Sequence, residues 1–161
     1  MTDNATVDRL QHELLADIPI TRAMQLSAEA FDGASLTLAA PLAPNVNDKG
    51  CAFGGSLASL MTLAGWGLPH LALQAQGLDA DIYVQDSAIR YLAPVWHDFR
   101  AVAAVGDGES LDAFVATLRD KGKARLRVHC RVPLPDGGDA ATLEARFVAL
   151  ARRRTDARKP A

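Results

Sequence analysis

The feature that most constrains this fold is an apolar segment near the middle of the chain, which reads FGGSLASLMTLAGWG from Phe53 to Gly67. Its apolar residues recur at helical spacing: Leu57, Leu60, Met61, Ala64 and Leu68. A second set with helical spacing consists of small or hydrogen-bonding residues and one tryptophan: Gly55, Ser59, Thr62 and Trp66. The pattern predicts a helix from about Phe53 to Gly67. Because this helix is apolar nearly all round, the rest of the chain must cover it on most sides.

The flanking segments predict strands and two shorter helices. An amphipathic helix is expected over residues 6–17, capped by Asp3 or Thr6 and ended by Pro19, and a short surface helix is expected before Gly122. Pro69 should kink or restart the central helix, so PHLALQAQ is expected to form a further short helical segment that ends at Gly77. Alternating runs predict about six antiparallel strands, over residues 20–31, 34–42, 79–95, 98–105, 124–134 and 141–152. The expected class is α+β, with a curved antiparallel sheet wrapped round one long helix, the layout of the hotdog fold.

Composition favours a single domain and excludes several functional classes. The chain has 161 residues and a net charge of −2, so one domain is expected over residues 1–155, followed by a basic tail at 156–161. Without a basic face, a nucleic-acid partner is not expected. The amino-terminal segment lacks the pattern of a signal peptide and no apolar run could span a membrane, which predicts a cytoplasmic protein. Cys51 and Cys130 are expected to be reduced and buried, and the scattered histidines predict no metal site.

Three segments together resemble a known family. They are APNVNDKGCAFGGSLASLMTLAGWG, then DSAIRYLAPV, and later GKARLRVHCRV. They resemble the hotdog thioesterase-like domain that some bacteria carry fused to an acetyltransferase, over about Thr6 to Arg152. The chain is also similar, more loosely, to acyl-CoA thioesterases whose central helix begins with histidine-glycine-glycine. The resemblance implies a homodimer with its sheets joined edge to edge, and two acyl-CoA sites between the central helix of one subunit and the other subunit.

The resemblance also implies which residues form the site, with two departures. In the looser relatives an asparagine, the amides of a glycine pair and an acidic helix residue carry the chemistry, and the first two correspond here to Asn47 and to Gly54 with Gly55. However, Phe53 stands where the relatives have histidine, and Thr62 stands where they have the acidic residue. The usual general base or nucleophile is therefore missing.

A chemical reading of the same residues suggests a replacement. Backbone N–H groups at a helix start can stabilise the oxyanion that forms when water attacks a thioester. Asp86 is the lead candidate for the general base, and Asp86→Asn is expected to abolish hydrolysis. The catalytic set is then Asp86, Asn47, Gly55 and Thr62. The substrate-binding set is Asp48, Phe53, Gly54, Ser59 and Ser87.

Each of these residues also has a structural interpretation. The glycine pair could serve only close packing, and the Ser59 and Thr62 hydroxyls could bond helix carbonyls. Asp86 could form an ion pair with Arg90, while the Asn47–Asp48 segment could simply form a turn. Ser56 does not lie in a nucleophile elbow.

The sequence thus predicts hydrolysis of an acyl-CoA or acyl-carrier thioester, with no metal and no cofactor except coenzyme A as part of the substrate. The alternative is a non-catalytic acyl-CoA-binding or regulatory module. A hotdog dehydratase ranks third, because Phe53 replaces the histidine that this reaction would need.

Overall fold

The computed structural model describes residues 4–152, so the proposed cap Asp3 and the predicted tail at 156–161 lie outside the described residues. The described residues form four α-helices and one short 3-10 helix at Ala43–Asn45; the α-helices are α1 (Asn4–Asp17), α2 (Pro19–Ala23), α3 (Gly54–Ala75) and α4 (Leu111–Lys121). The same residues form six strands: β1 (Ser27–Phe31), β2 (Ser35–Ala40), β3 (Ala80–Tyr91), β4 (Phe99–Val105), β5 (Lys123–Pro133) and β6 (Asp139–Ala151). The predicted number and order of strands are confirmed.

The strands form one antiparallel sheet in the order β1-β2-β4-β5-β6-β3. Helix α3 packs on one face of this sheet and contacts strands from β2 through β6. On β5 and β6, buried residues alternate with exposed ones along most of each strand, as expected when one face is covered and the other is wet. This arrangement of one curved sheet round one long helix confirms the predicted hotdog fold.

Helix α3 has a buried side and a partly open side. The predicted apolar stripe from Leu57 to Leu68 is buried throughout, with at most 4% of any of its residues exposed. The second stripe is only half-buried: Gly55, Ser59, Thr62 and Trp66. The sheet therefore covers one side of α3, and this second stripe, called the polar stripe below, stays partly open in the single protomer. Of the helices in residues 4–152, none is sufficiently long and apolar to cross a membrane.

Two local predictions differ from the structure. Residues 19–23 form α2 instead of the start of a strand, because Pro19 suits a first helical turn and the Thr21 hydroxyl donates hydrogen bonds to the carbonyls of Leu14 and Ile18 (2.9 and 2.7 Å). The helical segment expected after Pro69 is present, but it belongs to α3, which runs without a break through Pro69 to Ala75. Buried neighbours such as Leu71 hold this helix on the sheet, and that packing outweighs the hydrogen bond lost at the proline.

Strand β3 lies at the edge of the sheet and contains a bulge at Gln85. Val84 pairs with Phe147, whereas Asp86 pairs with the adjacent Arg146, so Gln85 is an extra residue. Because paired residues share a face, the bulge exchanges the two faces of β3. After it, the residues that point towards α3 are Ser87, Ile89 and Tyr91, opposite the buried Ala145, Leu143 and Ala141. The residues that point to the outer face are Asp86, Ala88 and Arg90.

Candidate active site

The amino-terminal end of α3 has two backbone donors without an acceptor. Phe53 is the cap residue, and its carbonyl oxygen accepts hydrogen bonds from the N–H groups of Ser56 and Leu57 (2.9 and 3.1 Å). Among the hydrogen bonds of residues 4–152, none comes from the N–H of Gly54 or Gly55. Free N–H groups at a helix start carry the positive end of the helix dipole. This end of α3 can therefore stabilise an anionic oxygen.

Two aromatic rings lie over the glycine pair. The Tyr91 hydroxyl donates a hydrogen bond to the Gly54 carbonyl oxygen (3.2 Å). A Cβ atom added at Gly55 would lie 2.3 Å from Cε1 of Phe53, so only glycine fits beneath that ring in its present position. Both rings are more than half exposed, Phe53 by 55% and Tyr91 by 56%. The close packing expected of a structural glycine pair is thus present, and its partners are two exposed rings, one of which belongs to strand β3.

The loop before α3 is held by its own hydrogen bonds. The Asn47 side-chain oxygen accepts a bond from the Lys49 N–H (2.8 Å), and its amide nitrogen lies 3.2 Å from the Cys51 sulfur. These contacts give Asn47 the turn-forming role that the sequence left open. Asp48 is exposed and pairs with the neighbouring Lys49 (2.9 Å). Asp48 is the one carboxylate that loop residues 43–53 contain.

The polar stripe of α3 carries hydroxyl groups that make no internal bond. The hydrogen bonds found over residues 4–152 include none from the hydroxyl of Ser59 or of Thr62. By contrast, Thr117 on α4 donates to the carbonyl of Ala113 in the way expected of a helical threonine (2.8 Å). The structural interpretation of Ser59 and Thr62 is therefore not supported, and both hydroxyls are available to a ligand or a second subunit.

The structure does not bring Asp86 to the glycine pair. Its side chain lies on the outer face of the sheet, and the nearest cation is Arg146, 3.9 Å away. Helix α3 lies against the opposite face of that sheet. The assignment of Asp86 as general base therefore has no geometric support in this protomer. Ser87, in contrast, points towards α3, as a substrate-binding role would require.

A separate cavity lies further along α3. It has a volume of about 520 Å³ and is bounded by α1, the second half of α3 and the start of β3. Trp66 lines it, donating from Nε1 to the Ile82 carbonyl oxygen (3.2 Å) and stacking on His70 with 4.4 Å between ring centroids. Gly54 and Gly55 do not line it. At 1.5 Å per residue, Trp66 lies about 16 Å along the helix from Gly55.

A polar cluster at this cavity was not predicted from the sequence. His70 Nε2 lies 2.8 Å from a carboxylate oxygen of Glu13, and the Gln74 amide contacts both oxygens of that carboxylate at 3.1 Å. His70 and Gln74 lie four residues apart and continue the polar stripe of α3. That spacing places the two side chains on one face of the helical segment expected after Pro69, but it does not indicate that Glu13 of α1 lies opposite them. Tyr91 was also missed, because only the bulge turns it towards α3.

The comparison with protein families gives a clear assignment. The family described as "Putative thioesterase (yiiD_Cterm)" matches residues 7–151. The chain belongs to this family. The match covers nearly all the described residues, including the loop, α3 and β3. For members of this thioesterase family, the activity indicated is thioester hydrolysis in general.

Solved structures support the same fold. A protein of unknown function from Chlorobaculum tepidum TLS is 30% identical, with a TM-score of 0.86 over 94% of this chain and 98% of its own. A "putative thioesterase" from Shewanella oneidensis is 31% identical, with a TM-score of 0.82 over 91% of this chain and 99% of its own. A thioesterase from Haemophilus influenzae is 12% identical, with a TM-score of 0.70 over 93% and 94% of the two chains, and this likeness concerns the fold alone.

Proposed function

We propose that this member of the thioesterase family hydrolyses the thioester of an acyl-CoA or of an acyl-carrier protein. The observation that carries the proposal is the pair of unpartnered N–H groups of Gly54 and Gly55 at the start of α3. Attack of water on a thioester carbonyl places negative charge on the carbonyl oxygen. Two fixed donors stabilise that charge more than they stabilise the neutral substrate, which lowers the barrier.

The catalytic unit is a homodimer in which the second copy covers the open side of α3. Two features support this step: the half-buried stripe of Ser59 and Thr62, and the exposed apolar residues near the helix start and on β3. These exposed residues are Phe53, Val84, Tyr91 and Leu92. Apolar surface of this kind, joined to free hydroxyls, is typical of an interface that also encloses a ligand.

The water molecule is oriented by hydroxyl groups of α3. Thr62 and Ser59 can each accept and donate a hydrogen bond, but neither is a base at neutral pH. Asp48 is the carboxylate nearest in sequence to the glycine pair, and its exposed position at the loop makes it the first candidate for the proton acceptor. The acyl chain occupies the apolar part of the cavity beside Trp66. No cofactor is needed beyond the coenzyme A or carrier part of the substrate, and cytoplasmic location stays a prediction.

A second function is favoured by one specific observation. The polar stripe of Gly55, Ser59, Thr62 and Trp66 contains no carboxylate, whereas the looser relatives that this chain resembles have an acidic residue at the position of Thr62. A chain that binds acyl-CoA without hydrolysing it would need the donors at the glycine pair but no base. The alternative is therefore a non-catalytic acyl-CoA-binding or regulatory module.

One experiment separates the two functions. Purified protein is incubated with a panel of acyl-CoA substrates of increasing chain length, and free thiol is measured together with binding by calorimetry. Turnover with released coenzyme A supports hydrolysis. Binding at micromolar concentration with no thiol release would establish the binding module. If the protein showed no binding and no thiol release, both proposals would be refuted.

A further inference from the structure

The cavity beside Trp66 has a polar end that contains an acceptor without a donor. At this end the Gln74 amide nitrogen lies 3.1 Å from both carboxylate oxygens of Glu13, and His70 Nε2 lies 2.8 Å from one of them. The other atom of the same amide, Gln74 Oε1, is buried and accepts no hydrogen bond from any group of residues 4–152. A buried acceptor without a partner costs free energy, so this oxygen favours a molecule that brings a donor.

The Glu13 carboxylate fixes the orientation of this amide. If the amide were reversed, Gln74 Oε1 would face the carboxylate, and two acceptors would oppose each other. The unpaired oxygen is therefore a consequence of the carboxylate next to it. A donor that took the place of the amide at Glu13 would allow the amide to turn, because the terminal torsion of glutamine is broad. Oε1 could then accept a hydrogen bond from the same donor group.

The charge of the cavity selects a cation. Of residues 4–152, four carboxylates line it: Glu13, Asp17, Asp79 and Asp81. Arg152 binds two of them, at 3.1 Å from Asp79 and 2.6 Å from Asp81. Even with His70 protonated, the four carboxylates outnumber the two cations of the lining. The cavity therefore attracts a cationic group and repels an anionic one.

The rest of the cavity selects an organic cation. Its apolar walls include Leu14, Ile18, Leu73, Leu78 and Ile82. The volume of about 520 Å³ is in the range of small-molecule sites, which are mostly apolar with a few polar groups. A bare inorganic cation would not cover these walls, whereas an alkyl chain attached to the cation would remove apolar surface from water.

We propose that this cavity binds a primary ammonium group carried on a short apolar chain, with the ammonium between Glu13 and Gln74. An ammonium group has three donors and no acceptor, so it can donate to the carboxylate and to Gln74 Oε1 at once. These two acceptors are neighbours, because the Gln74 amide contacts both Glu13 oxygens. A hydroxyl group would bring one donor without the charge, and a carboxylate would bring the wrong charge.

The ammonium group has two possible sources. In the first, it stands at the far end of the acyl chain of the substrate. This source rests on the proposed function, which places the acyl chain in the apolar part of the same cavity. In the second, it belongs to a free alkylamine that binds there independently of any thioester.

Calorimetric titration with n-hexylamine tests the ammonium site directly. At neutral pH the amine is protonated. Wild-type protein should bind n-hexylamine about tenfold or more tightly than n-hexyltrimethylammonium, which has the charge without an N–H donor, and than n-hexanol, which has a donor without the charge. Hexanoate should not bind. Equal binding of the four probes would show that only the alkyl chain is recognised, and no binding of n-hexylamine at millimolar concentration would also refute the proposal.

Substitutions at Gln74 test the position of the ammonium group. Gln74→Leu removes Oε1 and should weaken n-hexylamine binding by about tenfold or more. Gln74→Lys brings an ammonium group of the chain itself to Glu13, so it should abolish n-hexylamine binding while the denaturant midpoint of unfolding stays the same or rises. Gln76→Leu is the matched control, because Gln76 caps the same helix and does not line this cavity. This control should bind n-hexylamine as the wild type does.

The contrary results are equally specific. Wild-type affinity for n-hexylamine in Gln74→Lys would refute the proposal, and so would wild-type affinity in a folded Gln74→Leu variant. If Gln74→Leu failed to fold, the result with Gln74→Lys would decide alone. An equal loss of affinity in Gln76→Leu would also refute the assignment, because the effect would not come from the cavity.

Thiol release separates the two sources and keeps the hydrolysis proposal apart. The substrates are ω-aminoacyl-CoA and plain acyl-CoA of equal chain length. If the ammonium belongs to the substrate, the ω-aminoacyl-CoA should have the higher kcat/KM, and Gln74→Leu should remove that preference. If it belongs to a free amine, the plain acyl-CoA should be preferred and n-hexylamine should still bind. Binding of n-hexylamine without thiol release from any acyl-CoA would refute only hydrolysis, whereas thiol release without n-hexylamine binding would refute only the ammonium site.

Discussion

Replacement of Gly54 by proline gives a direct measure of one proposed oxyanion donor. Gly54 is the first residue of α3, and its N–H has no acceptor among the described residues, so proline removes the donor without breaking a helix hydrogen bond. The preceding residue, Phe53, has φ −63° and ψ 130°, which is the extended conformation that a residue before proline prefers. The cost of about 3 kcal/mol for proline inside a helix therefore does not apply here.

The expected effect is large on rate and small on stability. Loss of one oxyanion donor lowers kcat by about 10²–10³, or about 2.7–4 kcal/mol of transition-state stabilisation. The free energy of unfolding should stay the same or rise by about 0.4–1 kcal/mol, because proline restricts the unfolded chain. The assay is steady-state thiol release from an acyl-CoA, together with denaturant unfolding of each variant.

Gly54→Ala is the matched control. Both substitutions add a Cβ atom, which would lie 3.4 Å from Cε1 of Tyr91, an ordinary contact. Both retain the Gly54 carbonyl that accepts the Tyr91 hydroxyl. Only proline removes the N–H. If Gly54→Pro and Gly54→Ala showed the same kcat, the Gly54 amide would not be an oxyanion donor, and the reasoning from free helix amides would fail at this position.

Three further predictions concern other parts of the chain. Asp86→Asn should keep folding and hydrolysis when assayed well above the dimer dissociation constant; a loss of about 10²–10⁴ in kcat would restore Asp86 as a base. Gly65→Ala should lower the free energy of unfolding by about 1 kcal/mol, because the added Cβ would lie 2.9 Å from the buried Phe147 ring. The cost of this overpacking exceeds the gain in helix propensity from alanine. A Gly65→Ala variant that is more stable than the wild type in urea unfolding would contradict this. Burial raises the pKa of the Cys130 thiol to about 12, so above about pH 9 the native thiol keeps its proton while the unfolded thiol loses it. The free energy of unfolding should therefore fall between about pH 9 and about 12. The Cys130→Ala variant, measured in the same way, should lack that fall.

The parts of the fold that follow from local periodicity were predictable. The spacing of Leu57, Leu60 and Met61 specified both a helix and the side that it buries, because packing on a sheet rewards a continuous apolar stripe. The end of that helix was not predictable in the same way. Local rules divide it into two helical segments at Gly67 and Pro69, whereas the cost at Pro69 is offset by burial that depends on strands far away in sequence.

The part of the candidate site that lies at the start of α3 could be predicted, because it also depends on local sequence alone. The free N–H groups of Gly54 and Gly55 follow from where the helix begins, which is a local property. The cluster of Glu13 and His70 joins α1 to α3 across more than fifty residues, and no spacing in the sequence announces such a contact. Residues that act together from distant segments require the fold before they can be recognised.

The position of Asp86 shows how little irregularity is needed to turn a candidate residue to the other face of a sheet. Counted by strict alternation from Val84, which points towards α3, Asp86 would point towards α3 as well, and it would be a reasonable base. The single extra residue at Gln85 reverses that assignment for the rest of the strand, because a shift of one residue exchanges the two faces. The same reversal turns Ser87 and Tyr91 towards the face that α3 covers, and Tyr91 reaches the Gly54 carbonyl at the helix start. A bulge in an edge strand thus turns a carboxylate away from that face and places a hydroxyl and an aromatic ring on it, so the candidate chemistry depends on the extra residue Gln85.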